Sequence, residues 1–204
     1  MKKFIRRVCL LALPVLLTAC ASTVVTSNPA AGKGGLNTLQ LVTVDFDYAV
    51  KKSLDEFIMS PEFGTKKDKV LVVRVENIKN ETTQENLDTL RLSENVMKYL
   101  MRDGRFSVTA AVGGSFDDNN VRDYRQLEKS DLFDQDTGAK GKLVKPDLSM
   151  RGEIRQSEAV STDRTKQQLS YIFRLSVVDL SSGRVLFYSS VPIDKLGPNQ
   201  NFSW

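Results

Sequence analysis

The chain's 204 residues, 41% hydrophobic and 26% charged, have the make-up of one folded domain, which excludes a disordered or fibrous polypeptide. Histidine is absent and the two cysteines are Cys9 and Cys20, so a histidine-based triad and a zinc cluster of His and Cys ligands are excluded. The formal charge of +4 comes from Lys2, Lys3, Arg6 and Arg7: removing those four from the 29 basic residues leaves 25 against 25 acidic ones, too even a balance for nucleic acid to be an expected partner.

The cationic stretch Lys2 to Arg7, the apolar run Val8 to Leu17 and then Thr18-Ala19-Cys20 stand in the order of a secretory signal. Ten apolar residues at about 1.5 Å each fall far short of a hydrocarbon core of about 30 Å, so residues 1–19 are expected to be removed rather than to span a membrane. Leu17-Thr18-Ala19-Cys20 resembles a bacterial lipobox, where cleavage falls before a cysteine whose sulfur already carries lipid. The resemblance implies a lipid anchor on Cys20. With Ala21 rather than aspartate next, it also implies the periplasmic side of the outer membrane. Cys9 leaves with the signal, so the mature chain is expected to hold one cysteine and no internal disulfide.

Residues 20–38 are rich in Ser, Thr, Ala, Gly and Asn and read as a flexible tether, roughly 70 Å long at full extension. The globular domain is expected over 39–196. Val50, Leu54, Phe57 and Ile58 form the stripe of an amphipathic helix from Tyr48, with Asp45 or Asp47 available as N-cap and a stop near Ser60-Pro61. Val70 to Val75 is apolar on both faces until Arg74, the pattern of a central strand. Asn86 to Arg102 predicts a helix buried on two sides, Leu87, Leu90, Met97 and Met101 on one and Leu92, Val96 and Tyr99 on the other. Gly104 is its stop, and Arg105 to Val112 the next strand.

From Gly113 to Lys145 the pattern weakens, with a short helix on Val121, Tyr124 and Leu127 and a loop over 134–145. Leu148, Met150 and Ile154, then Leu169, Tyr171, Phe173, Leu175 and Val177, alternate with polar neighbours as half-buried strands. Ser181-Ser182-Gly183 is a turn into Val185 to Val191, making the last two strands an antiparallel hairpin, and residues 197–204 are expected to fray. The fold class is α/β: a compact single domain with a mixed, mostly antiparallel sheet and helices packed against it.

No catalytic, cofactor or metal residue emerges, and an enzyme is not expected. Asp134-Gln135-Asp136-Thr137-Gly138 begins like a calcium loop, but an EF-hand's sixth and twelfth positions hold Ala139 and Lys145 here. The carboxylate pairs Asp45 with Asp47 and Asp117 with Asp118 sit in no hydrolase motif and are read as helix caps or solvated groups. Asn80-Glu81-Thr82 is expected to bond to its own backbone in the turn after the strand.

Two blocks stand out together. The first runs through Asn80-Glu81-Thr82 and Leu87-Asp88 to a helix ending in Asp103-Gly104-Arg105-Phe106. The second holds Pro146-Asp147, Gly152-Glu153-Ile154, Tyr171, Val178-Asp179-Leu180 and Gly183. In order and spacing, over most of residues 45–195, they resemble the LpoB family of outer-membrane lipoproteins that activate class A penicillin-binding proteins in peptidoglycan synthesis. Phe187 departs from the tryptophan common in that family's last strand, and the tether is shorter than in enteric members. The resemblance implies a non-enzymatic activator whose partner is the periplasmic domain of a class A penicillin-binding protein. The residues to test for docking are Asn80, Glu81 and Thr82 in the loop, and Arg151, Glu153 and Arg155 on one strand face. The fold also resembles domains of curli-export and flagellar assembly lipoproteins. The alternative is therefore a structural lipoprotein of an envelope assembly, with a cell-wall hydrolase third.

Overall fold

The computed structural model describes residues 24–28, 38–63, 69–110 and 143–199, together with Val121, Asp123 and Gln126, which are helical. Helix α1 spans Thr43–Met59 and α2 spans Thr89–Asp103. The strands are β1 Val25–Thr26, β2 Leu71–Val75, β3 Lys79–Glu81, β4 Phe106–Val108, β5 Leu148–Val160, β6 Lys166–Asp179 and β7 Val185–Pro198. They form one seven-stranded sheet in the order β1-β7-β6-β5-β2-β4, with β3 also on β5. Strands β1, β5, β6 and β7 pair antiparallel, while β2 runs parallel to both β4 and β5, and β3 parallel to β5.

Helix α1 begins earlier than its apolar stripe predicts, because Asp45 is not the N-cap. Val42 takes that position in extended conformation, and Asp45, three residues on, accepts the Val42 N–H at 3.0 Å through Oδ2. Asp47 instead accepts from Asn95 Nδ2 at 3.0 Å. The helix stops at Ser60, which is extended as the residue before a proline must be, and whose hydroxyl donates to Phe57 O at 2.7 Å. Helix α2 starts on Asp88, whose carboxylate accepts the Arg91 N–H at 3.0 Å, and ends at Gly104 with φ 75°, where a side chain would be strained.

The expectation that α2 is buried on two sides is corrected. Leu92, Ser93, Val96 and Leu100 are buried, whereas Leu90 and Met101 are 53% and 60% exposed. Among the described residues both helices lie on one face of the sheet, so each has one covered side. That face carries Met150, Ile154, Tyr171, Phe173, Leu175, Val177, Val191 and Ile193, all buried. Phe57 centres an aromatic group, with ring centroids 4.5 Å from Phe63, 5.2 Å from Phe106 and 5.4 Å from Phe187. Phe187 thus serves the core.

Other differences are local. Strand β2 is interior, as expected of its two apolar faces, but β4 ends at Val108, and residues 111 and 112 lie outside the described ones. So do Tyr124, Leu127 and residues 134–142 of the predicted loop. Strand β7 continues through Gly197 to Pro198, paired with Lys166, where fraying was expected. Residues 24–28, expected within the tether, include β1, which pairs with Leu196 and Lys195 on the edge of β7. Between β2 and β3 the chain has one residue more than β5 opposite: Val75 faces Met150 and Lys79 faces Glu153. The surplus turns Ile78 inward onto Gly152, where a Cβ would meet Ile78 Cγ1 at 2.9 Å.

Carboxylates pin several of the joints. Burial pushes Asp147 up, but the Lys69 ammonium at 2.7 Å and the Val72 N–H at 2.9 Å outweigh it and hold the group below the usual carboxylate range. The Arg105 guanidinium does the same for Asp103, and the Ser181 hydroxyl with the Ser181 and Ser182 N–H groups for Asp179 in the β6–β7 turn. Asp163 in the β5–β6 turn falls to about 2, through the Ser161 hydroxyl and the Thr165 N–H and hydroxyl. A carboxylate depressed in the folded state contributes stability above its unfolded pKa and loses it as pH falls through the folded value. With no histidine in the chain, the urea midpoint followed by circular dichroism should be flat from pH 8 to 6 and fall steadily below about pH 5.

Candidate functional site

The face of the sheet away from the helices is polar and carries a web of charge. Along β5, Met150, Gly152 and Ile154 point to the core, so the period of two turns Arg151, Glu153 and Arg155 to this open face. Strand β3 lies beside them, with Lys79 opposite Glu153 and Glu81 opposite Arg155. On the other side Glu153 faces Arg174 of β6. The two stretches singled out in the sequence are therefore adjacent.

Glu81 binds both Lys79 Nζ at 2.6 Å and Arg155 Nε at 2.8 Å, and Glu153 binds Arg155 Nε at 3.0 Å and Arg174 Nη1 at 3.1 Å. Glu76, just after β2, takes Arg151 Nε at 2.9 Å and the Ser149 hydroxyl at 3.1 Å. The Lys79 hydrogen bond and the Arg155 charge hold the Glu81 carboxyl below its ordinary range. The carboxylates sit lower in the surface than their partners. Glu76, Glu81 and Glu153 are less exposed than Lys79, Arg151 and Arg155, so cationic tips stand outermost. Exposed ion pairs of this kind contribute little to stability, and their arrangement bears on recognition instead.

Asn80 and Thr82 do what the turn requires. Asn80 Oδ1 accepts the Thr82 N–H at 3.0 Å and hydroxyl at 2.8 Å, while Asn80 Nδ2 donates to Gln84 O at 2.7 Å. They shape the turn that follows β3, whose last residue, Glu81, faces Arg155. Arg174 belongs to the same patch and was missed in the sequence. Its position among Tyr171, Phe173 and Leu175 marks it as outward, but only the β5–β6 register shows that it meets Glu153.

A second polar cluster lies on the opposite face and is buried. Lys195 Nζ meets Asp45 Oδ2 at 2.6 Å, and their side chains are 2% and 0% exposed. The ammonium also donates to Gln40 O at 2.6 Å and Thr38 O at 3.2 Å, which uses its three protons. Asp45 Oδ1 accepts from Asn28 Nδ2 at 2.9 Å. Asp45 and Asp47 thus have separate partners. Asp117 and Asp118 lie outside the described residues. Among the described residues no group of His, Cys, Asp and Glu is placed to hold a metal ion.

Comparison with protein families matches residues 45–193 to the peptidoglycan-synthase activator LpoB. The chain belongs to the LpoB family. Its span runs from the buried Asp45 to Ile193 and takes in the charged web from Glu76 to Arg174. The C-terminal domain of LpoB from Escherichia coli is similar at 11% identity, with a TM-score of 0.44 over 72% of this chain and 97% of that one. The corresponding Salmonella enterica domain gives 10% identity and 0.43 over 72% and 97%. A lipoprotein from Neisseria meningitidis gives 13% identity and 0.34 over 65% and 88%. No curated protein matches the chain. LpoB family activators are non-enzymatic regulators, so membership makes this chain a peptidoglycan-synthase activator of the cell envelope.

Proposed function

We propose that the chain is an outer-membrane lipoprotein, anchored through lipid on Cys20, that docks on the periplasmic domain of a bifunctional class A penicillin-binding protein and raises its activity. The family match over residues 45–193 carries this reading. The docking face is the open side of the sheet, where Glu81, Arg151, Glu153, Arg155 and Arg174 come together, with the Asn80 and Thr82 turn at its rim. Its cationic tips suit an acidic patch on the partner, and such charges set encounter rate and orientation. Activation follows only if the face binds the active conformation of the synthase more tightly than the inactive one.

Glycan polymerisation by purified class A synthases, with and without the soluble domain from residue 24 onward, tests the activator role. Polymerisation unchanged with every class A synthase of the organism would sink it. The double reversal Arg151→Glu and Arg155→Glu tests the face. These side chains are exposed, so the fold should hold by circular dichroism. Binding to the synthase should weaken by roughly tenfold to a hundredfold, about 1.4 to 2.8 kcal/mol. Stimulation left at the wild-type level would place the docking surface elsewhere.

A further inference from the structure

Strand β1 alters the geometry of the anchor. Val25 and Thr26 pair with Leu196 and Lys195, Ser27 donates its N–H to Asp194 O at 2.9 Å, and Asp194 returns its N–H to the Ser27 hydroxyl at 2.8 Å. Asn28 is buried on the Asp45 carboxylate, and Val24 covers Gly197, where a Cβ would meet Val24 Cγ2 at 3.0 Å. The chain is therefore held from residue 24. Between Cys20 and Val24 stand three residues, a reach of at most about 14 Å in place of the roughly 70 Å of a free tether.

The direction of β1 decides which part of the domain is near that anchor. Because β1 is antiparallel to β7, its start lies at the sheet end that holds Pro198, its partner Lys166 and the β5–β6 turn, to which Asn199 is tied through Thr165 O and Arg164 O. Exposed there are the apolar side chains of Val25, Leu196 and Val160, together with the cations Arg164 and Lys166 and the carboxylates Glu158 and Asp163. Apolar groups among charges of both signs suit the boundary between acyl chains and zwitterionic headgroups, which reach such an end only if the tether holds it there.

We infer that β1 holds the domain against the lipid surface that carries Cys20, with the sheet end formed by Val25, Leu196, Lys166 and the β5–β6 turn facing the headgroups. This rests on the reading of Cys20 as lipidated. The opposite turn, around Ser182, then points into the periplasm. Thirteen steps of β6 at about 3.4 Å separate the two turns by roughly 44 Å.

The test uses the full lipoprotein in vesicles of phosphatidylethanolamine and phosphatidylglycerol. With the Cys20 sulfur carrying lipid, a single new cysteine takes a fluorophore, at Thr162→Cys in the β5–β6 turn or at Ser182→Cys in the β6–β7 turn. Spin-labelled lipid should quench the label at residue 162 at least threefold more than that at 182. Inserting about fifteen Gly and Ser residues between residues 23 and 24 keeps β1 in place and should bring the two labels to equal quenching. Ser27→Pro, which removes the donor to Asp194, should do the same by freeing β1. Equal quenching in the unmodified, lipidated chain overturns the inference, as does quenching at residue 162 that survives the insertion. Mass spectrometry of the mature N-terminus separates the two failures: a chain without lipid overturns the reading of Cys20 and the inference with it.

Discussion

Replacing Lys195 by methionine is expected to destabilise the domain by about 3 to 5 kcal/mol, the cost of stranding a buried charge. The side chains are similar in volume, so the loss is electrostatic. Asp45, with no exposed surface, would keep the Val42 N–H and Asn28 Nδ2 but lose its counter-ion at 2.6 Å. Gln40 O and Thr38 O would lose their donor as well. A shift of that size lowers the melting temperature by on the order of 10 °C in a domain this large. Adding Asp45→Asn removes the stranded charge and should recover part of the loss, because a buried pair deleted together costs far less than either member alone. Thermal denaturation of the two chains checks both expectations. A Lys195→Met domain as stable as wild type would mean that the pair does not hold in solution.

Phe57→Ala should cost about as much, 3 to 5 kcal/mol, through a different cause. The ring is fully buried and touches Phe63, Phe106 and Phe187 at once, joining α1 to β4, β7 and the segment after the helix. Truncation removes those contacts and leaves a cavity whose walls, drawn from separate elements, have little freedom to collapse. Phe57→Leu keeps most of the volume and should cost about 1.5 kcal/mol or less. Urea midpoints for the series measure this. Equal losses for alanine and leucine would show that ring geometry, and not volume, holds the cluster.

Much of the architecture was legible because it rests on period. The stripe through Val50, Leu54 and Phe57 and the alternation from Leu169 to Val177 reflect one buried face each, and both elements appear where the pattern stands. Gly104 and Ser181-Ser182-Gly183 read correctly because helix ends and tight turns need particular residues. Helix α2 misled for the converse reason. Its outer apolar side chains look like core to a pattern that counts hydrophobic positions but cannot count layers. Strand β1, two residues long, is too short to show a period, and its Ser and Asn neighbours have the composition of a linker.

The open face was half legible. Alternation showed that Arg151, Glu153 and Arg155 face outward, and the loop chemistry of Asn80 and Thr82 was readable from their side chains alone. That the two sets meet depends on a parallel pairing between stretches more than seventy positions apart, which no local pattern encodes. Lys195 had a signal that went unread. It shares the parity of Val191 and Ile193, so the strand turns it inward, and an inward lysine demands a carboxylate. Which carboxylate only the fold could say.

The pairing of the first described strand with the last also sets a clock on folding. Ser27 and Asp194 are 167 residues apart in the chain, and closing so long a loop is entropically slow compared with zipping the neighbouring strands β5, β6 and β7. During synthesis the amino-terminal segment emerges first, and its place on β7 exists only after the carboxyl-terminal strand has been made. The sheet is thus completed at its beginning last, and a chain cut short before Asp194 would leave its first strand without the edge it pairs with.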